Sequence, residues 1–131
     1  MNKKSGVMGL TGISSDMRDI DHAYEEGNPR AILARDMYYR RIKKFVGEYA
    51  AEMGGVDLIV FTGGVGESSS EMRESVCTGL EFMGVKFDTE ANKGARGVNK
   101  LLSAADSKVK VAVIATDEEL MIATDTYNLV K

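Results

Sequence analysis

A short apolar run bounded by glycines constrains this chain more than any other feature of its sequence. Residues 56–61 read VDLIVF, with Gly54 and Gly55 before them and TGGVGES at residues 62–68 after them. A nearly unbroken run of this kind, rich in β-branched residues, is typical of a parallel-sheet strand that is covered on both faces. The glycine segment predicts a turn into a helix over about residues 69–83, for which Ser68 and Glu71 have capping-box spacing.

Two helical patterns precede this strand. The first begins at Ser14 and ends at Gly27, a favourable residue just beyond a helix. Asn28 then caps a second helix, with Pro29 at its first position, where the missing N–H group costs nothing. This long amphipathic helix is predicted to end at Gly54 and to carry an apolar stripe that consists of Ile32, Leu33, Tyr38, Ile42, Phe45, Val46 and Tyr49.

The rest of the chain adds two strands and a final helix. Residues 108–116 (KVKVAVIAT) alternate and then become fully apolar, as a strand entering a sheet does, and residues 85–88 (VKFD) predict a shorter strand. The weakly patterned residues 89–102 favour a loop. The last helix is predicted to start at Thr116 or Asp117 and to run nearly to the final residue.

This order of elements is α/β. Two or three strands cannot form a stable open sheet whose central members are apolar on both faces. We therefore expect an incomplete sheet that is flanked by helices, with something else beside residues 56–61.

Length, charge and cysteine content argue against several classes of function. A chain of 131 residues fits one domain, and a net charge of -3 with interleaved signs argues against nucleic-acid binding. Its apolar runs fall far short of the roughly 20 residues that cross a bilayer, and the N-terminus has no apolar signal-peptide core. We expect a soluble cytoplasmic protein without a membrane partner. Cys77, the only cysteine, is expected to be a small buried hydrophobe, and His22, the only histidine, to be solvated.

The glycine segment is the first candidate site. Glycines let the backbone approach a ligand closely, and a following helix offers free N–H groups, so residues 62–68 could hold a nucleotide. The segment is not a Walker A loop, because no Gly-Lys-Ser/Thr follows, and Ser69 stands where a GxGxxG motif has its last glycine. The alternative is a tight strand-to-helix turn that needs glycine for its conformation.

The second candidate is the segment SSDMRD at residues 14–19. Ser15 or Asp16 could simply cap the helix, with Arg18 as a surface charge. Alternatively, Asp16 and Arg18 contact the base or sugar of a nucleotide, with the guanidinium plane stacked on a ring. The spacing alone does not decide between these interpretations.

The third candidate is TDEE at residues 116–119, where a strand end meets a helix. Thr116 and Glu119 have capping-box spacing, which would leave Glu118 without a structural task. Open α/β sheets bind ligands at such strand ends, and Mg²⁺ needs only one or two carboxylates when phosphate and water complete its shell. The alternative is that Glu118 only interacts with the helix dipole.

Four motifs together resemble the C-terminal third of acetate kinase, in order and at matching spacing. They are GLTGISSDMRD, VDLIVFTGGVGESSSEMRE, GLEFMGVKFD and VAVIATDEELMIATDT, and the resemblance extends from about Lys3 to about Tyr127. It implies part of an RNase-H-like domain of the actin-like ATPase superfamily, which spans residues 1–131. The implied activity is reversible transfer of the γ-phosphoryl group of ATP to acetate, with Mg²⁺, and the implied assembly is a homodimer through this region.

The same resemblance implies roles for individual residues. Asp16, Met17 and Arg18 would contact adenosine, Gly64, Val65, Gly66, Glu67 and Ser68 would lie along the nucleotide, and Glu118 would bind the metal. Ser68 stands where the family usually has Asn, so a side-chain contact from that position is not carried over, whereas Asp117 fits the family pattern.

The family's catalytic arginines, histidine and aspartate precede the region that this chain resembles, and none of those motifs occurs in it. We therefore assign no catalytic residue and expect the chain to be inactive alone. Two other interpretations remain open. In one, the parent enzyme acts on propionate or butyrate; in the other, the chain is a split subunit or assembly module that a longer partner chain completes.

Overall fold

The computed structural model describes residues 4–131, which form seven helices and one three-stranded sheet. The helices are α1 (Gly6–Thr11), α2 (Met17–Glu25), α3 (Pro29–Glu52), α4 (Gly63–Ser68), α5 (Ser70–Cys77), α6 (Thr89–Asn92) and α7 (Glu118–Val130). The strands are β1 (Leu58–Phe61), β2 (Lys100–Leu101) and β3 (Lys110–Val113), and a 3₁₀ turn covers Glu81–Met83. The predicted α/β class is confirmed.

The sheet has the strand order β1-β3-β2. β1 and β3 are parallel, with Leu58 opposite Lys110 and Phe61 opposite Val113, and β2 pairs antiparallel with the other edge of β3. Because β1 and β3 run in the same direction, their carboxyl ends lie side by side. The two segments that follow them, residues 62–68 and 116–119, therefore start next to each other.

One hydrophobic core lies between the sheet and the helices α3 and α5. Its fully enclosed members include Val76, Cys77, Leu102, Val111 and Val113. A smaller cluster of Ile20, Ala23 and Ala31 joins α2 to α3. Asn28 caps α3 as predicted, since its side-chain oxygen accepts hydrogen bonds from the N–H groups of Arg30 and Ala31, with Pro29 at the first position.

Only one face of β1 is covered by the described residues. Ile59 and Phe61 are buried, whereas Leu58 and Val60, which point to the opposite face, are 45% and 43% exposed. The prediction that this strand is covered on both faces is therefore wrong for the described part of the chain. The physical reason is that α3 and α5 pack on the same side of the sheet, and β1 is also an edge strand.

The predicted apolar stripe of α3 divides between two faces. Tyr38, Ile42 and Val46 pack against the core as expected. Four other members of the stripe are exposed, namely Ile32, Leu33, Phe45 and Tyr49. The helix carries apolar residues on more than one face, and spacing alone could not show which of them meets the sheet.

The segment after β1 also differs from the prediction. Residues 63–68 form the short helix α4 instead of a turn, and the next helix ends at Cys77 instead of continuing to residue 83. The cap of α5 is Ser69, whose hydroxyl accepts the Met72 N–H at 3.1 Å, so the predicted Ser68–Glu71 capping box is wrong. The shift by one residue follows from α4, which includes Ser68 in its own last turn.

Smaller elements were not all anticipated. Residues 85–88 form isolated bridges at Val85 and Phe87 instead of a strand, and the predicted loop at 89–102 contains α6 and β2. The glycine-bearing segment at the start of the chain forms α1, whose last residue precedes Gly12 in a left-handed conformation. Short elements of this kind depend on tertiary contacts more than on local pattern.

The final helix, α7, begins close to the predicted position. Asp117 is its cap and accepts the Leu120 N–H at 2.9 Å, so the predicted capping box of Thr116 with Glu119 is wrong. Every residue of α7 is exposed, including the apolar side chains of Leu120, Met121 and Ile122. Within residues 4–131, no helix combines the length and apolar character that a membrane span requires.

Candidate functional site

An open cleft of about 1010 Å³ lies where α2 begins, beside α3, α4 and the start of α5. Six of the residues that were singled out in the sequence line it, namely Asp16, Met17, Arg18, Gly64, Val65 and Ser68. Gly66, Glu67 and Glu118 are not part of its lining. The structure thus brings together two segments that lie almost 50 residues apart in the sequence, and concave sites of this kind are where proteins bind small molecules.

The rim of the cleft carries an ion pair between Asp16 and Arg18. The Asp16 carboxylate caps α2 by accepting the Arg18 N–H at 2.9 Å, and it also accepts the Arg18 Nη2–H group at 2.6 Å. These hydrogen bonds lower the pKa of Asp16 to about 2. Helix capping by Asp16, one of the two interpretations of this segment, is therefore confirmed. The Arg18 side chain is 90% exposed, so its face remains accessible to a ring.

Beneath this rim lies a buried cation that the sequence did not identify. Arg35 of α3 donates to the Tyr39 hydroxyl at 2.8 Å, pairs with Glu71, and lies 3.2 Å from Asp21. Its guanidinium carbon is 3.9 Å from the centre of the Tyr24 ring. Arg35 therefore links α2, α3 and α5 under the cleft. The one sequence feature that could have pointed to Arg35 is its position one helical turn before Tyr39 in an amphipathic helix.

The three glycines of the TGGVGES segment have different structural reasons. Gly63 has a φ of +70°, which only glycine adopts readily. A Cβ on Gly66 would lie 3.4 Å from the backbone of Phe61, which is an ordinary van der Waals contact, so the packing of α4 on β1 does not require glycine there. Gly64 has neither a positive φ nor any described atom within 4 Å of the position of a Cβ. Its missing side chain leaves free space in the cleft.

Arg73 of α5 holds this segment from below. The side chain is fully buried, and its Nη1 donates to the carbonyl oxygens of Gly66 at 2.7 Å and Glu67 at 2.9 Å. Its Nε donates to Asn92 at 2.8 Å and its Nη2 to the Ala95 carbonyl at 2.6 Å. One cation thus ties the end of α4 to the chain around α6. No local sequence pattern marks this role, because all the partners are brought to Arg73 by the fold.

Glu67 and Thr116 connect the ends of the two parallel strands. Glu67 Oε1 accepts the Gly63 N–H at 2.9 Å and the Thr116 N–H at 2.8 Å. The hydroxyls of Thr62 and Thr116 hydrogen-bond at 2.8 Å. The bond from the Thr116 N–H, together with those from its hydroxyl and from Gly63, lowers the pKa of Glu67, which is therefore ionised at neutral pH.

Glu118 lies in the first turn of α7, two residues after Thr116. Its side chain is exposed and makes no hydrogen bond or ion pair with another described residue. Among residues 4–131 there is no cluster of three or more potential ligand side chains that would hold a metal ion by itself. An accessible and uncommitted carboxylate fits Mg²⁺ that takes its remaining ligands from phosphate and water.

The remaining two residues of interest carry no chemistry. Cys77 is buried as predicted, and burial raises the pKa of its thiol to about 12, which keeps it protonated and unreactive. The side chain of His22 is 74% exposed, which confirms that it is solvated.

Comparison with known proteins decides the family. Residues 1–124 match the family model described as the acetokinase family. The chain belongs to this family. The resemblance to acetate kinase that was drawn from four sequence motifs is therefore confirmed.

Full-length relatives of this acetokinase-family chain are much longer. It is 60% identical to an acetate kinase of Bacteroides thetaiotaomicron over 131 residues, which are 100% of this chain and 33% of the relative. It is 64% identical to an acetate kinase of Phocaeicola vulgatus over 126 residues, 96% of this chain and 31% of that protein. The chain therefore spans about a third of the length of the curated relatives it matches.

Solved structures show the same relation. The crystal structure of Porphyromonas gingivalis acetate kinase superposes with a TM-score of 0.91 and 58% identity over 99% of this chain and 33% of that chain. For the crystal structure of acetate kinase from Entamoeba histolytica the TM-score is 0.87 at 38% identity, and the match covers 98% of this chain and 34% of that chain. A propionate kinase from Francisella tularensis gives 0.80 at 34% identity, with 95% and 31% covered.

The buried position of Arg73 generates a first prediction for this acetokinase-family chain. Replacing Arg73 with Met keeps the length and helix propensity of the side chain but leaves four acceptors without their donor. We expect the free energy of unfolding to fall by about 3 kcal/mol or more, measured from urea denaturation. The control, Arg40→Met, removes an exposed pair with Asp36 and should change stability by about 0.5 kcal/mol at most. Equal effects of the two substitutions would contradict this role of Arg73.

Proposed function

We propose that this chain is the nucleotide-binding C-terminal portion of an acetate kinase, which catalyses the reaction of ATP with acetate to give ADP and acetyl phosphate. Residues 1–131 would form one domain of that enzyme, or part of one. Membership of the family supports the reaction. The cleft supports nucleotide binding by this portion, because it joins the Asp16–Arg18 segment to Gly64, Val65 and Ser68.

Gly64 is the observation that carries the nucleotide assignment. A glycine inside a helix costs roughly 0.5–1 kcal/mol relative to alanine, so a helical glycine that borders a cleft and has no conformational or packing reason is a candidate for close approach of a ligand. At Gly64 neither reason exists among the described residues, and the empty space faces the cleft. A ligand that approaches the backbone there, as a nucleotide would, explains the residue.

The proposed roles follow from position. Asp16, Met17 and Arg18 would form the adenosine side of the cleft, where the exposed guanidinium can stack on the base. Residues 64–68 would lie along the nucleotide, with Ser68 offering a hydroxyl at the exposed end of α4. Gly66 lies in the part of this segment that faces Phe61 of β1.

Glu118 would bind the metal of the proposed reaction. Mg²⁺, when bound, would neutralise charge on the phosphate oxygens. The protein's own contribution is positional, since the paired carboxyl ends of β1 and β3 keep the Glu118 segment beside the nucleotide segment. Precise placement of reacting groups is a main source of rate in phosphoryl transfer.

The nucleotide assignment predicts a distinctive phenotype for Gly64→Ala. The added methyl group should leave the free energy of unfolding unchanged or raise it by about 0.5–1 kcal/mol, because alanine is the better helix former. The same methyl group should obstruct the ligand and weaken ADP binding about tenfold, as measured by calorimetry.

Gly47→Ala is the matched control for this substitution. Gly47 is also helical and has no described atom within 4 Å of a Cβ, but it lies in α3 away from the cleft. It should show the same stabilisation with unchanged ADP affinity. If Gly64→Ala binds ADP as well as the unsubstituted chain does, the nucleotide does not lie against Gly64.

A third prediction is that this chain alone does not make acetyl phosphate. Three arginines among the described residues line the cleft, namely Arg18, Arg35 and Arg96. Arg18 is paired with Asp16, and Arg35 is paired with Asp21 and Glu71. Losing a single preorganised donor costs about 10²–10³ in rate, and several would be absent here. The assay is acetyl phosphate formation from ATP, Mg²⁺ and acetate, with a complete acetate kinase as the positive control. Turnover comparable to that control would contradict the proposal.

Two alternatives to this proposal were drawn from the sequence. The similarity to a propionate kinase structure leaves propionate as an alternative acceptor acid, and butyrate is the more distant choice. A split subunit that a longer partner chain completes stays a prediction from the sequence. Co-purification with a longer acetokinase-family chain would identify such a partner. A cytoplasmic location stays a prediction from the sequence.

We further propose that the chain self-associates through α3. Leu33, Met37, Arg41, Phe45, Tyr49 and Met53 form one row at intervals of four residues, and all the apolar members are at least 40% exposed. Such rows pack into each other in the commonest class of helix pair. The centre of the row lies between Arg41 and Phe45, where the Arg41 guanidinium lies over the Phe45 ring at 5.5 Å. Two copies crossing there would therefore make a two-fold symmetric contact.

This association predicts a monomer when charge is placed on the row. The double substitution Met37→Glu and Tyr49→Glu should convert a dimer at micromolar concentration into a monomer, as measured by sedimentation equilibrium. Leu129→Glu, on the exposed helix α7, is the control and should leave the dimer intact. A monomeric unsubstituted chain, or dissociation caused by the α7 control alone, would count against α3.

A further inference from the structure

One carboxylate joins the two ends of the proposed site. We propose that Glu67 is a positioning residue that fixes the Glu118 segment relative to the nucleotide segment, and that it is not itself a ligand of the nucleotide or the metal. This inference rests on the proposed function, because it concerns how the two halves of that site are kept together.

The geometry of Glu67 spans both strand ends. Its Oε1 accepts one hydrogen bond from Gly63, at the start of the nucleotide segment, and one from Thr116, two residues before Glu118. Both donors are backbone N–H groups, and the Thr116 hydroxyl reinforces the link by also accepting the Gly63 N–H at 3.2 Å. Glu67 lies four residues after Gly63 in α4, and this spacing places its side chain over the first turn of its own helix.

This link begins where the sheet ends. The last backbone hydrogen bond between the two chain segments runs from the Ile114 N–H to the Phe61 carbonyl, at 2.9 Å. Beyond it the backbone ladder stops, although Thr116 and Gly63 must still be held together. A charged acceptor makes hydrogen bonds roughly twice as strong as those of a neutral one. The Glu67 carboxylate therefore extends the pairing of β1 and β3 by about two residues, up to the start of α7.

Two observations argue against a direct ligand role. Glu67 does not line the cleft, although Gly64, Val65 and Ser68 of the same short helix do. In addition, its Oε1 already accepts two backbone N–H groups, and a negative charge would repel the phosphates of a nucleotide. A group behind the site that orients a metal-binding segment is an outer-shell partner, and loss of such a partner commonly costs 10–100-fold in metal affinity.

Three substitutions separate positioning from ligation. Glu67→Gln removes the charge but keeps an oxygen that can accept both hydrogen bonds. Glu67→Asp keeps the charge, but its carboxylate is one methylene too short to reach both N–H groups. Glu67→Ala removes the acceptor altogether. If Glu67 is a ligand, its charge is essential, and Glu67→Gln should behave like Glu67→Ala. If Glu67 is a positioning residue, the length of its side chain is essential, and Glu67→Asp should behave like Glu67→Ala.

The main measurement is the ratio of the Kd for ADP to the Kd for Mg·ADP, obtained by calorimetry on this chain and its variants. We expect Glu67→Gln to keep this ratio within about threefold, and Glu67→Asp and Glu67→Ala to lower it about tenfold. If this ratio falls in Glu67→Gln but stays unchanged in Glu67→Asp, the proposal is overturned and Glu67 is a ligand. An unchanged ratio in all three would also overturn it.

A second measurement needs no nucleotide and separates the two proposals. Hydrogen exchange of the Gly63 and Thr116 amides should accelerate at least about tenfold in Glu67→Asp, and should change little in Glu67→Gln. If exchange behaves in this way but the unsubstituted chain does not bind ADP, the positioning role stands and the proposed function fails. If exchange is unaffected in Glu67→Asp, the positioning role fails even where ADP binds. The aspartate variant keeps this test available if the alanine variant does not fold.

Discussion

The parallel pairing of β1 with β3 is the constraint on which the rest of this structure depends. Antiparallel strands would place the segments after Phe61 and Val113 at opposite edges of the sheet, whereas parallel strands place them side by side. The closeness of residues 62–68 to residues 116–119 follows from this adjacency. The TGGVGES segment, the hydrogen-bonded threonines and the start of α7 all meet at the carboxyl edge, where open α/β sheets bind their ligands.

Three buried or half-buried charged side chains stabilise the region around the proposed site. Each connects elements that are distant in the sequence. Arg73 binds the end of α4 to the chain around α6, Arg35 joins three helices beneath the cleft, and Glu67 connects the two strand ends. Each lies where hydrophobic packing alone cannot orient a backbone segment. Hydrogen bonds have direction, so these groups can hold a loop in one conformation where apolar contacts would allow several.

Several apolar surfaces of the described residues have no cover. The chain spans about a third of the acetate kinases that it matches, and the outward face of β1, the free edge of that strand and the whole of α7 lack described neighbours. Apolar residues such as Leu58, Val60 and Ile122 are exposed there. Apolar patches of this kind usually mark surfaces that another protein or domain covers. The described residues thus enclose one core, whereas the outward face of β1 has no cover among them.

The sequence by itself determined the α/β class, the strand at residues 58–61, the capped start of α3 and the family, because these depend on local pattern and on motifs in order. It also placed Asp16 and Gly64 among the site candidates. Only the tertiary structure decided that β1 is covered on one face, that Leu33 and Tyr49 lie outside the core, and that Ser69 instead of Ser68 caps α5. The tertiary structure alone also decided the roles of Arg35, Glu67 and Arg73. Their partners are up to 49 residues away, and a hydrogen bond between such residues exists only once the chain has folded.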